Sequence, residues 1–230
     1  MEQHFIIEIN ATRNGVSLLP PERRREEARR NVKLYLVPAD ASQTVSDRMI
    51  PDYLVSESMI DRYLEIAPPV LAIIPEFQEI IKEIERTYVR GDLFSALSAA
   101  CVSMERLLNL TRIRLHKHHS KIKSLWGKGP IDEWRKNIDA LRQWGYLEQA
   151  FAAELQCIFK DVRCKYLHSA PVADLRRDAL RSVNAAYRLL TIFLGFPADI
   201  FRLTDCIECT NTSDPRFVEF YLPELHPVSP

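Results

Sequence analysis

The chain has 230 residues, 47% apolar and 27% charged, and its 31 Lys and Arg balance 31 Asp and Glu to a formal net charge of zero. This is the make-up of a soluble globular protein with enough length for a substantial core. It excludes the uniformly basic class of nucleic-acid binders, so any RNA contact has to come from a local patch or a brief encounter. No apolar run approaches the length of a bilayer span, and MEQHFIIEIN lacks a basic region ahead of an apolar one. The expectation is a cytoplasmic protein with no membrane partner. The five cysteines are an odd number, and Cys101 and Cys157 fall on expected core faces, which suits reduced thiols.

Residues 4–10 (HFIIEIN) and 16–19 (VSLL) read as short strands around Asn14-Gly15, a favoured hairpin turn. Pro20-Pro21 opens ERRREEARR, expected as an exposed helix whose opposite charges pair one turn apart. Arg23, Arg24, Arg25, Arg29 and Arg30 could line a basic groove, but Glu22, Glu26 and Glu27 dilute it and favour a solvated face. VKLYLV at 32–37, closed by Pro38, reads as a third strand. Together these pieces predict a β-containing cap over 1–55, too small for its own core and so packed on the helices that follow.

The remainder predicts a mainly α protein, an antiparallel helical bundle over 56–195. Met59, Ile60, Tyr63 and Leu64 give a short helix from Ser56 to Pro68-Pro69. Ile73, Phe77, Ile80, Ile81 and Ile84 give one over 70–89, with Pro75 near its start, Gly91 breaking it and Asp92 placed to cap the next. That next helix, LFSALSAACVSMERLLNLTRIRL, offers small residues (Ala96, Ala99, Ala100) for close approach and Leu93, Leu97, Met104, Leu107 and Leu108 for bulk. Glu105 sits among them as an acid. It either pairs with Arg163 or His168 across the bundle or is an ordinary exposed acid.

The helix runs out into a basic exit of Arg112, Arg114, Lys117, His119, Lys121 and Lys123, with Trp126 beyond. This is the best phosphate-contacting candidate in the chain, although cations at a helix C-terminus also favour the dipole on their own account. A short helix over 131–144 ends at Gly145, and a long one over 172–194 ends at Gly195-Phe196-Pro197. Residues 196–230, with β-like FVEFYL, read as an extended segment over the bundle or a partner. No metal is expected. Cys206-x2-Cys209 would need two more ligands with only His226 after it, and His116 and His119 have no Cys or carboxylate beside them.

Between the last two helices, Gln149–Pro171 carries Phe151, Leu155, Ile158, Val162 and Tyr166 at steps of one helix face. Near its end stands Arg163-Cys-Lys-Tyr-Leu-His168, where a permanent cation and a near-neutral titrating imidazole come together at a helix terminus. Rival spacings, Arg114 to His119 and Arg112 to His118 or His119, lie in the basic exit instead. The Arg163 motif, closing a long amphipathic helix and followed by Pro171 and another long helix, resembles the HEPN superfamily over roughly residues 70–195. The Ala-rich helix and the LRQWGYL turn ahead of the motif helix fit the same resemblance.

The resemblance implies a homodimeric, metal-independent endoribonuclease without cofactors. Such proteins often act as toxins or antiphage defence effectors and leave 2′,3′-cyclic phosphate ends, and a cognate antitoxin or defence-system protein is an expected partner. Arg163 would stabilise the phosphorane, His168 would be acid and base, Lys165 and Tyr166 would line the cleft, and the Arg112–Lys123 patch would hold the RNA. One departure stands out. Active members place a polar residue directly after the Arg, and this chain has Cys164, a weak hydrogen-bonding partner for an imidazole. The rival reading is a non-catalytic HEPN-like adaptor or antitoxin-type module that grips a protein with the same face.

Overall fold

The computed structural model describes residues 20–36, 50–66, 75–119, 134–167, 174–195, 199–203 and 207–225. The strand-like runs 4–10 and 16–19 lie outside them, as do His168, Lys121, Lys123 and Cys206. The described chain is mainly helical. In order it forms α1 (Pro21–Leu34), a 3₁₀ turn (Asp52–Leu54), α2 (Glu57–Glu65), α3 (Pro75–Arg90) and α4 (Leu93–Leu115), which runs on into a 3₁₀ turn (His116–His118). Then come α5 (Trp134–Gln143), α6 (Gln149–Cys157), a π-helical segment (Ile158–Arg163), α7 (Cys164–Leu167) and α8 (Leu175–Phe193). A two-stranded antiparallel hairpin, β1 (Phe201–Leu203) with β2 (Ile207–Cys209), pairs Phe201 with Cys209 and Leu203 with Ile207. A second π segment (Phe217–Tyr221) leads into α9 (Leu222–Leu225).

The bundle is built around α4, which packs most closely on α8, then on α3 and α5. Its small residues explain the approach: Ala96 and Ala100 are fully buried, flanked by Leu97, Met104, Leu107 and Leu108. Facing them, α8 contributes Ala179, Val183, Ala186, Leu190 and Phe193 at helical spacing, all buried. Residues 93–118 are long and apolar enough to cross a membrane. Here they form the central helix of the bundle.

Local chemistry sets the boundaries. The Ser56 hydroxyl accepts from the Met59 N–H to cap α2, and the Asp174 carboxylate accepts from the Arg177 N–H to cap α8. Gly91 (φ 96°) and Gly145 (φ 85°) occupy the left-handed position that closes α3 and α5. In both, the following N–H reaches back five residues, Asp92 to the Thr87 carbonyl at 2.9 Å and Tyr146 to the Leu141 carbonyl at 3.0 Å, a pattern a side chain at the glycine would strain. Asp92 occupies the start of α4 but makes no cap bond; its carboxylate faces Arg90 at 3.9 Å.

Three expectations are corrected. VKLYLV is not a strand, because Val32–Leu34 complete α1 and Tyr35 and Leu36 form a turn. Ala28 and Val32 form the buried stripe of α1, and an existing helix extends through β-branched residues at small cost. Its charges pair with Glu26 and Glu27 on α1 itself and, through Arg25 and Arg29, with Glu57 and Asp61 on α2, so the run of arginines is not an open basic groove. FVEFYL is helical, with Phe217, Phe220 and Tyr221 buried at i, i+3 and i+4, so residues 217–225 are not extended. Cys157 faces solvent, whereas Cys101 is buried as expected.

Candidate active site

The motif helix buries the expected stripe: Phe151, Leu155, Ile158 and Val162 are each at most 1% exposed. What the spacing does not reveal is the π segment over Ile158–Arg163. Such single wide turns inside α-helices are frequent at functional sites. This one ends on Arg163, so it sets the direction in which that side chain leaves the helix.

Arg163 reaches across to α4, where its Nη2 donates to Glu105 Oε2 at 2.9 Å. Both side chains keep about a quarter of their surface, at 23% and 24%. The guanidinium also lies over two rings, 5.5 Å from the centre of Phe159 and 5.9 Å from that of Trp134. Those rings stack on each other at 5.6 Å and 28°. A cation held over aromatic faces and by one carboxylate is fixed in position more firmly than by either contact alone. One N–H of its fork goes to Glu105; among the described residues no other protein acceptor engages the remainder.

Around this pair lie the supporting residues. Cys164 is half-buried with a free thiol, and Lys165 is exposed. The Tyr166 hydroxyl donates to Asp178 Oδ2 on α8 at 3.0 Å, and burial together with that carboxylate pushes its pKa up to about 12. Tyr166 therefore braces the helix end against α8 and is a neutral phenol at any working pH. One turn before Glu105, burial pushes the Cys101 thiol up to about 12 despite a hydrogen bond with Ser182, so it is an inert core thiol. His168 follows directly after the described helix, outside the described residues.

The basic exit of α4 is different. Arg112 is fully buried, its Nε donating to Asn137 Oδ1 at 2.5 Å, and burial lowers its pKa from the usual arginine value. It is part of the α4–α5 packing and cannot reach RNA. Arg114 donates to the Glu219 carbonyl at 3.2 Å and lies over Phe220 at 5.3 Å. Lys117 and His118 both hold the Glu219 carboxylate, at 2.8 and 2.7 Å. Burial opposes ionisation of Glu219, but these two contacts outweigh it and hold its pKa below the ordinary carboxylate value. His119 stacks on Trp144 at 4.7 Å and shares a 3.1 Å hydrogen bond with the Tyr146 hydroxyl. Burial and the neighbouring His118 and His116 push its pKa down, so it is a neutral ring near pH 7.

Arg114, Lys117 and His118 are thus occupied in seating residues 217–221 on the bundle, and His119 packs on Trp144 and Tyr146, rather than forming an open phosphate patch. The same segment is clamped by buried Arg216. Burial works against its charge, yet Asp214 and Asp199 more than offset that and hold it cationic; it also donates to the Ile192 carbonyl. Among the described residues no three His, Cys, Asp or Glu side chains converge as a metal site.

The structure therefore joins Glu105 and Arg163, with Tyr166 one turn further along the motif helix held by Asp178, and ties the described residues of the basic exit to other partners. The residues missed from the sequence are Trp134 and Phe159, the aromatic shelf under Arg163. Phe159 stands four residues before Arg163, a spacing at which helix side chains meet, and that was the available signal. No family model, curated protein or solved structure matches this chain.

Proposed function

We propose that the chain is a HEPN-type, metal-independent endoribonuclease acting as a homodimer in the cytoplasm, with the role of a toxin or defence effector restrained by a cognate partner. In this reading the 2′-oxygen of RNA attacks the adjacent phosphorus and the bond from phosphorus to the 5′-oxygen breaks. A 2′,3′-cyclic phosphate and a 5′-hydroxyl result. One His168 takes the 2′-OH proton, and the His168 of the second copy gives a proton to the leaving 5′-oxygen. Arg163 directs its spare N–H groups at a non-bridging oxygen as charge builds there. Five residues of a straight α-helix turn through about 500°, so side chains at this spacing would point about 140° apart unless the helix ended between them, which favours a site shared between two chains.

The observation that carries the reading is the fixed Arg163 guanidinium. It leaves a π turn immediately ahead of the motif, is oriented by Glu105 and the Trp134–Phe159 shelf, and keeps donors free of protein acceptors among the described residues. The test is cleavage of RNA in excess chelator with analysis of the new 3′ ends. Wild type yields cyclic phosphate termini, and His168→Ala loses about 10²- to 10⁴-fold in rate, the usual weight of acid–base catalysis. Equal cleavage by the two proteins in chelator overturns the proposal.

A second reading, a non-catalytic HEPN-like adaptor, draws on two observations. The Arg163–Glu105 ion pair already satisfies part of the guanidinium, and Glu219 occupies the basic exit that would have held RNA. That reading expects no nuclease activity and a second protein in fixed ratio on purification.

A further inference from the structure

With Arg112, Arg114, Lys117 and His118 engaged by protein partners, a nuclease built on Arg163 needs phosphate contacts beyond these residues. Beside the aromatic shelf, α5 and the motif helix enclose a cavity of about 370 Å³ lined by Arg135, Ile138, Gln156, Phe159 and Lys160. Its architecture follows from helix spacing: Arg135 and Ile138 are three apart on α5, and Gln156, Phe159 and Lys160 are three and four apart on the facing helix. Ile138 is fully buried and forms the floor. Phe159 is shared with the Arg163 site, whose guanidinium lies 5.5 Å from its ring centre. The cavity is therefore one side chain away from the proposed cleavage point.

The lining is unlike a leftover packing gap. Arg135 is 79% exposed with Asp139 no nearer than 3.9 Å. Lys160 is exposed and has no ion-pair partner among the described residues. Gln156 donates its Nε2 to Asp139 Oδ1 at 3.1 Å, which fixes the amide so that its carbonyl oxygen is left to accept from a ligand. Two exposed cations at the rim, an aliphatic floor, a ring and one oriented acceptor match a nucleotide: charge for the backbone, apolar surface for the base and an acceptor for its N–H edge.

We infer that this cavity is the binding site for the RNA nucleotide flanking the cleaved bond, with Arg135 and Lys160 on its phosphates and Gln156 on the base edge. The inference rests on the nuclease reading. Its test is binding of a fully 2′-O-methylated RNA oligonucleotide, which cannot be cut, by the full chain over a salt series. Single-stranded binding loses about 0.7 in the log–log salt slope per phosphate contact removed. The doubly substituted Arg135→Ala/Lys160→Ala protein is expected to lower the slope by about 1.4 and to bind at least about tenfold more weakly. Gln156→Ala is expected to change base preference at one position and leave the slope alone. Both positions are exposed, so an unchanged melting curve accompanies the effect. If wild type cuts RNA while the double variant matches it in affinity and slope, the cavity assignment is wrong and the nuclease stands. If wild type neither binds the oligonucleotide nor cuts RNA, both fall.

Discussion

Two clusters of positive charge in this molecule are put to opposite uses. At the exit of α4, Arg112 is buried on Asn137, while Arg114, Lys117 and His118 close on the Glu219 residue of the C-terminal segment. At the end of the motif helix a single arginine has one carboxylate, two rings and spare donors. The richer cluster is a fastening, and the sparser one keeps N–H groups without a protein acceptor among the described residues. Charge density along a sequence reports how many cations are present. Whether they are already spent depends on which acids the fold brings against them.

The largest expected effect comes from the shelf. Trp134 is fully buried, and Trp134→Ala removes core volume and the surface under Arg163 together. A loss of about 3–5 kcal/mol in urea unfolding is expected. A loss under 1 kcal/mol, inside the usual range for exposed positions, would mean that Trp134 does not carry the core packing assigned to it. Next, Glu105→Gln keeps the shape but withdraws the charge that orients Arg163. Cleavage in chelator should fall about tenfold, equivalent to about 1.4 kcal/mol, with KM affected less than kcat. A variant as fast as wild type would detach Glu105 from the site.

The fastening should be acid-sensitive. His119 has a depressed pKa, so its contribution is complete above about 6.5 and is lost as pH falls through the folded-state value. The Glu219 carboxylate is also depressed; its contribution is lost only below about 4.5. Hydrogen exchange over residues 217–221 should therefore accelerate at the lower step, which Glu219→Gln should remove, while the higher step should appear around Trp144 and Tyr146, where His119 packs. Smallest of all, Lys117→Ala breaks a surface contact worth about 0.2–1 kcal/mol and should leave RNA affinity and its salt slope unchanged. A slope reduced by about 0.7 in that variant would return the α4 exit to RNA binding.

The bundle itself was legible because its signals are periodic. The stripes on α4, the motif helix and α8, and the glycines closing α3 and α5, follow from 3.6-residue spacing and left-handed backbone. Short apolar runs were not. VKLYLV and FVEFYL alternate well enough for strands, yet Val32 and Phe217, Phe220 and Tyr221 fall equally on a helix face, and burial decides. The β1–β2 hairpin was missed for the converse reason, since FRL and IEC are each only three residues. At the site, the Arg-to-His spacing and the acid at Glu105 could be read. The π turn could not, because one additional residue in a turn leaves the apolar stripe intact, and neither could the shelf, which joins residues from two helices.

The most direct measurement sets wild type against Arg163→Lys in cleavage of one defined RNA in chelator, with both proteins confirmed helical. Lysine keeps the charge and its pairing with Glu105 but lacks the planar fork that can hold a carboxylate and a phosphate oxygen together. The account predicts a rate about 10²-fold lower for the lysine variant, with the same cyclic phosphate product. Equal rates, or no cleavage by wild type, would contradict it.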